Sequence, residues 1–115
     1  MGSAWSTPVA EVPGFVLCDG HFEASAPHGE LSGWCGWIRF EGHGECKIRP
    51  SEASVDEWSG RWSALDAETV RIAISGDGRG ARGALLMRDG GEVDTIHLSA
   101  EGSAAPPTLF TFVPD

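Results

Sequence analysis

Two short patterns offer the donor set of a metal site. Cys18-x-x-His21 and His43-x-x-Cys46 supply two thiolates and two imidazoles, the mixture that tetrahedral zinc takes. Each pair brackets a glycine-containing turn, Asp19-Gly20 or Gly44-Glu45, so both members of a pair can face one ion. Cys35 or His28 could stand in for a member. A metal-free explanation competes: an Asp-Gly turn and a general richness in glycine produce the same spacings, leaving buried thiols and exposed imidazoles. Zinc is the one cofactor these residues suggest, and no other is expected.

Tryptophan and glycine form the second constellation. Trp34, Trp37, Trp58 and Trp62 hold four of the five indoles of the chain, in a glycine-rich stretch. Large rings beside residues without side chains leave slots that either the core or a ligand fills. Read as a strand, Trp58, Gly60 and Trp62 share one face, and a flat aromatic ligand, a sugar or a partner's side chain would fit between the rings. The competing reading places these rings in the core of a small domain.

Two weaker signals follow. Gly78, Gly80 and Gly83 satisfy G-x-G-x-x-G after a strand, but too few residues follow for the helix that a phosphate cradle needs. That run reads instead as a long hairpin loop, in which Arg79 and Arg82 make a basic spot able to clasp a carboxylate. His97, in a strand and on the face expected to carry Val93 and Thr95, is the one candidate catalytic group. It would act as a proton-transfer residue with Glu30, Glu41 or Asp94 beside it. No nucleophile elbow, phosphate-loop lysine or H-E-x-x-H motif is present.

Composition bounds the partners. Eight basic and 17 acidic residues give a net charge of −9 over 115 residues, with the acidic groups spread along the chain. Such a surface disfavours nucleic acid and anionic membrane and favours a basic protein. Three cysteines, with no leader pattern or membrane-spanning run, point to a cytoplasmic protein with free thiols.

The elements that must position these groups are strands. Val70, Ile72 and Ile74 alternate with Arg71, Ala73 and Ser75. Glu45–Arg49, Ala84–Met87, Val93–Leu98 and Leu109–Val113 read the same way, and Leu31–Phe40 reads as a strand buried on both faces. Asp19-Gly20 and Asp89-Gly90-Gly91 read as hairpin turns. Residues 54–65 are contested. A capping box at Ser54 and Glu57, with Val55, Trp58, Trp62 and Leu65 at helical spacing, argues for helix. Gly60 costs that helix about 1 kcal/mol relative to alanine. The expectation is a short helical turn to about Glu57, then a strand.

The fold expected is mainly β: a small antiparallel barrel or sandwich of about seven or eight short strands, with at most one short helix near residues 51–62. Residues 1–13 would form a flexible arm and 14–115 a single domain. Exposed strand edges at Val70–Ile74 or Leu109–Val113 could pair two copies into a homodimer. The leading functional expectation is a binding module for a small aromatic or apolar ligand, or for a basic protein partner as in an inhibitor. The alternatives are a barrel enzyme of the lipocalin-like type using His97, and a zinc-stabilised module.

Overall fold

The computed structural model describes residues 8–25, 31, 33–50, 57–76, 78–104 and 106–114. Alternation dictates its walls. In the strand Thr69–Ile74, Val70, Ile72 and Ile74 are buried, while the residues between them are only partly covered. Ten strands form. β1 (Pro8–Val12) and β2 (Phe15–Cys18) make an antiparallel hairpin of their own. The remaining eight are β3 (Gly20–Ala24), β4 (Trp37–Phe40), β5 (Glu45–Arg49), β6 (Trp58–Asp66), β7 (Thr69–Ile74), β8 (Gly80–Met87), β9 (Val93–Ala100) and β10 (Thr108–Pro114). They pair antiparallel in sequence order, and β10 then pairs with β3, closing a barrel.

Closure leaves no free edge in this sheet. β7 lies between β6 and β8, and β10 between β9 and β3, so neither edge expected to pair with a second copy is open. Among the described residues no helix is long and apolar enough to cross a membrane.

Side chains fill the interior. An aromatic series crosses it: Phe112 to Phe22 at 5.2 Å between centroids, Phe22 to Phe40 at 5.7 Å and Phe40 to Trp62 at 5.8 Å. The last two meet nearly edge to face, the arrangement that ring quadrupoles favour by about 0.5–1.5 kcal/mol beyond burial. The Trp62 Nε1–H donates to the Glu41 carbonyl oxygen at 2.9 Å, so the buried indole keeps a polar partner. At Gly60 the walls close in: a Cβ there would lie 2.6 Å from the Ala73 carbonyl oxygen and 2.9 Å from Ile48 Cδ1.

Both ends are covered. The β1–β2 hairpin lies over the end that carries the β4–β5, β6–β7 and β8–β9 turns. A Cβ at Gly14, which has φ +110°, would lie 2.6 Å from Ala67 in the β6–β7 turn, and Val16 bridges Glu92. At the other end Leu31, Trp34 and Cys35 are buried. The amides of Trp34 and Cys35 both donate to the Leu31 carbonyl oxygen, at 3.0 and 2.7 Å, and hold this segment in a tight turn.

Four expectations about local structure change, and one contested segment is decided. Leu31–Phe40 is not one strand: only Trp37–Phe40 joins the wall, because the preceding turn folds over the barrel end. Asp19-Gly20 is a corner between two sheets rather than a hairpin turn, since β2 pairs with β1 and β3 with β10 and β4. Residues 58–66 are strand, as expected beyond Glu57, packed between β5 and β7, where pairing on both sides outweighs the helical spacing of the tryptophans. Residues 51–56, where the helical turn was expected, lie outside the described residues. Gly80–Gly83 belongs to β8, so the glycine-rich loop is shorter than expected. Residues 8–12 of the expected arm form β1.

Replacing Gly60 by alanine is expected to destabilise the protein by about 1–3 kcal/mol, the usual cost of forcing atoms into a packed wall. Gly33→Ala, at a position with no described atom within 4 Å of the added Cβ, is expected to stay within about 0.5 kcal/mol of the parent. Urea unfolding of the two variants checks both.

Candidate functional site

With the interior filled, concave surface lies outside the lumen. A concavity of about 430 Å³ opens at the barrel end covered by the Leu31–Gly36 turn, lined by Gly33, Trp34, Gly78, Arg79, Ala100 and Glu101, together with Gly80. Three separate connections meet there: the turn before β4, the β7–β8 loop and the end of β9. Trp34 borders the concavity but is only 4% exposed, its side chain belonging to the core cluster. Gly33 and Gly78 have no described atom within 4 Å of where a Cβ would stand, so their missing side chains are part of the open volume.

One carboxylate organises the polar side. The Arg71 Nε–H and Nη2–H donate to the two oxygens of Glu101 at 2.6 and 2.9 Å, and Arg82 Nη2 lies 3.5 Å from Glu101 Oε2. These bonds hold the Glu101 carboxyl below the usual carboxylate range, chiefly through the Arg71 hydrogen bond, and raise Arg71. Gly80 makes room for the pair, since a Cβ there would lie 2.8 Å from Glu101 Oε1. The Arg79 guanidinium sits 6.0 Å from the Trp58 ring centroid. Three arginines and one carboxylate thus stand together among the described residues at this rim.

The residues singled out from sequence separate into groups. Trp34 and Arg79 line the concavity, Trp58 stands beside Arg79, and Arg82 reaches Glu101 from the neighbouring strand. Trp37 lies instead on the outer face of β4, stacked 5.2 Å from His21 and 4.0 Å from the Arg49 guanidinium, where it laces β3, β4 and β5 together. Trp62 is in the core, and the slot across Gly60 holds Ile48 and Cys46. Gly33, Arg71, Ala100 and Glu101 were not singled out. The Arg71–Glu101 pair spans 30 positions in sequence, and no local pattern marks it.

His97 is exposed on the outer wall, opposite Ala84 and Leu109 in the neighbouring strands. It shares that face with Thr95 but not with Val93: the register shifts between Leu86 and Met87, turning Val93 into the core. No described carboxylate hydrogen-bonds to it. Of the expected partners, Glu41 bonds its own turn, Asp94 sits at the start of β9, and Glu30 lies outside the described residues.

The two Cys/His pairs do not converge. Cys46 points into the barrel, 1% exposed, whereas His21 stacks outside it. Cys18 is buried near Glu92, and His43 is exposed in the β4–β5 turn with φ +62°. Among the described residues, no group of three or more His, Cys, Asp or Glu could hold a metal ion. His28 lies outside them, and Cys35 is fully buried. The barrel wall separates ligands that the sequence spacing brings together.

Charge is also rearranged by folding. Exposed Glu11, Asp66 and Glu68 gather with half-buried Glu41 and Glu92 around the hairpin-covered end. Five of the acidic groups spread along the chain thus form an acidic pole at this end.

Burial pushes the Cys46 thiol from 9.0 up to about 12, with Glu41 adding to the shift. A folded-state pKa above the unfolded one means that the stability it contributes is complete below about pH 9 and is lost as pH rises towards 12. Denaturation midpoints are expected to fall across that window, and to fall less in Cys46→Ala. No protein-family model, curated protein or solved structure matches this chain.

Proposed function

We propose that the chain is a non-catalytic binding module that holds a small, flat, partly apolar anion at the barrel rim. One observation carries this reading: Trp34 and Arg79, with Trp58 next to them, meet at a concavity whose floor is kept open by glycines. The half-buried Trp58 indole beside Arg79 offers an apolar surface to a ring. The arginine offers a planar fork to a carboxylate or sulfonate. The neighbouring Arg71–Glu101–Arg82 group holds that side of the rim in place. Small clefts with a few convergent polar groups are the usual form of such sites.

A second reading rests on the acidic pole. Glu11, Asp66 and Glu68 would face a basic protein partner, steering its approach by complementary charge. Such a complex would dissociate as salt rises and would be lost on reversing these three charges.

1-Naphthoate is a suitable probe for the first reading. Its titration is expected to quench tryptophan fluorescence saturably, with a Kd between about 10 µM and 1 mM for a ligand of that size. Gly33→Leu, which fills the concavity, and Arg79→Ala, which removes the fork, are each expected to weaken binding at least about tenfold while the melting temperature holds. Quenching that does not saturate, or that both variants leave intact, rejects the rim as the site.

A further inference from the structure

The rim concavity carries charge of both signs. Among the described residues that line it, Arg79 and Glu101 are charged, one cation and one anion. Arg71 and Arg82 reach Glu101 from β7 and β8 but are not part of that lining. Glu101 stays ionised at neutral pH, because the Arg71 hydrogen bond holds its carboxyl below the usual range. A guest with a carboxylate alone would therefore meet Arg79 with a second carboxylate close by, and like charges so placed oppose binding.

We propose that the guest is a small aromatic zwitterion, built like an aromatic amino acid, with its carboxylate on Arg79 and its ammonium on Glu101. This assignment rests on the rim being the binding site and adds a cationic group to the guest. Oε1 of Glu101 is the atom that receives the ammonium. Each carboxylate oxygen has two lone-pair sites. Oε2 faces both arginines, Arg71 Nε at 2.6 Å and Arg82 Nη2 at 3.5 Å. Among the described residues Oε1 accepts only from Arg71 Nη2, at 2.9 Å, which leaves one site open. That oxygen borders Gly80, where a Cβ would lie 2.8 Å from it, and both residues line the concavity. The missing side chain leaves Oε1 uncovered.

Size and charge balance agree with such a guest. A volume of about 430 Å³ lies within the range of small-molecule clefts. The half-buried Trp58 ring beside Arg79 takes the aromatic part. One guest charge of each sign meets one lining charge of each sign, so neither partner leaves a charge uncompensated in the recess. A dianion would set its second charge against Glu101, and a simple cation would set its charge against Arg79. The two charge-assisted contacts also fix the direction in which the ring enters.

Two naphthyl acids of matched shape test this. 3-(1-Naphthyl)alanine is a zwitterion, and 3-(1-naphthyl)propionate lacks the ammonium. Titration of each into isotope-labelled protein at neutral pH and physiological salt, followed by amide chemical shifts in NMR spectra, gives both Kd values and their location. The parent chain is expected to bind the zwitterion at least about tenfold tighter than the propionate. Glu101→Gln keeps the shape of the side chain and removes its charge. In that variant the preference is expected to vanish while the propionate binds as well as before or better, whereas simple damage to the rim would weaken both probes together. Equal affinity of the parent chain for the two probes overturns the zwitterion and leaves the rim reading standing, as does a preference that survives Glu101→Gln. If neither probe shifts the amides of Gly33, Gly78 and Arg79, the rim reading fails and this assignment fails with it. The comparison on the parent chain needs no variant, so it decides even where Glu101→Gln lowers stability.

Discussion

Closure of the sheet is the constraint on which the rest depends. Once β10 pairs with both β9 and β3, every barrel strand has two neighbours and one side chain in two must enter a lumen of fixed width. The lumen is then filled by the interlocked rings of Phe112, Phe22, Phe40 and Trp62, with Gly60 absent of side chain where β6 passes close to Ala73 and Ile48. A chain with this many indoles and glycines had two ways to arrange them. Closure at this width puts Trp62 inside and leaves no slot beside Gly60.

With the lumen filled, concave surface lies at the rim and on the outer wall. At the rim, residues from three distant connections converge because all three loops leave the barrel at the same end. Up-and-down connectivity guarantees that alternate loops share an end. The same rule gathers the β4–β5, β6–β7 and β8–β9 turns at the opposite end, where Glu41, Asp66, Glu68 and Glu92 meet Glu11 of the hairpin.

Much of the fold was legible in the sequence. The alternation of Val70, Ile72 and Ile74, the Asp89-Gly90-Gly91 turn and the alternation of Leu109–Val113 each describe a local period or a local backbone need, and each element stands where it was expected. Errors fell where two local signals conflicted or a distant contact decided. Asp19-Gly20 has the composition of a hairpin turn, but its flanking strands find better partners elsewhere. Between Trp58 and Leu65 the conflict was resolved as expected, because β5 and β7 offer backbone partners that a helix could not use. The register shift opposite Met87 moved His97 away from Val93, and nothing in the local pattern announces it.

For the candidate site, residue types were readable and company was not. Trp34, Trp58, Arg79 and Arg82 were identifiable because large flat rings and guanidinium groups carry their chemistry in any context. Glu101 and Arg71 were indistinguishable from other surface charges until β7, β8 and the end of β9 were side by side. By itself the sequence determined strand periodicity, turn positions and overall charge, all set by interactions within a few residues of chain. The tertiary structure alone decided which indoles are core, which cysteines and histidines are kept apart, and which arginines share a carboxylate, because those depend on barrel closure, a contact between the two ends of the sheet.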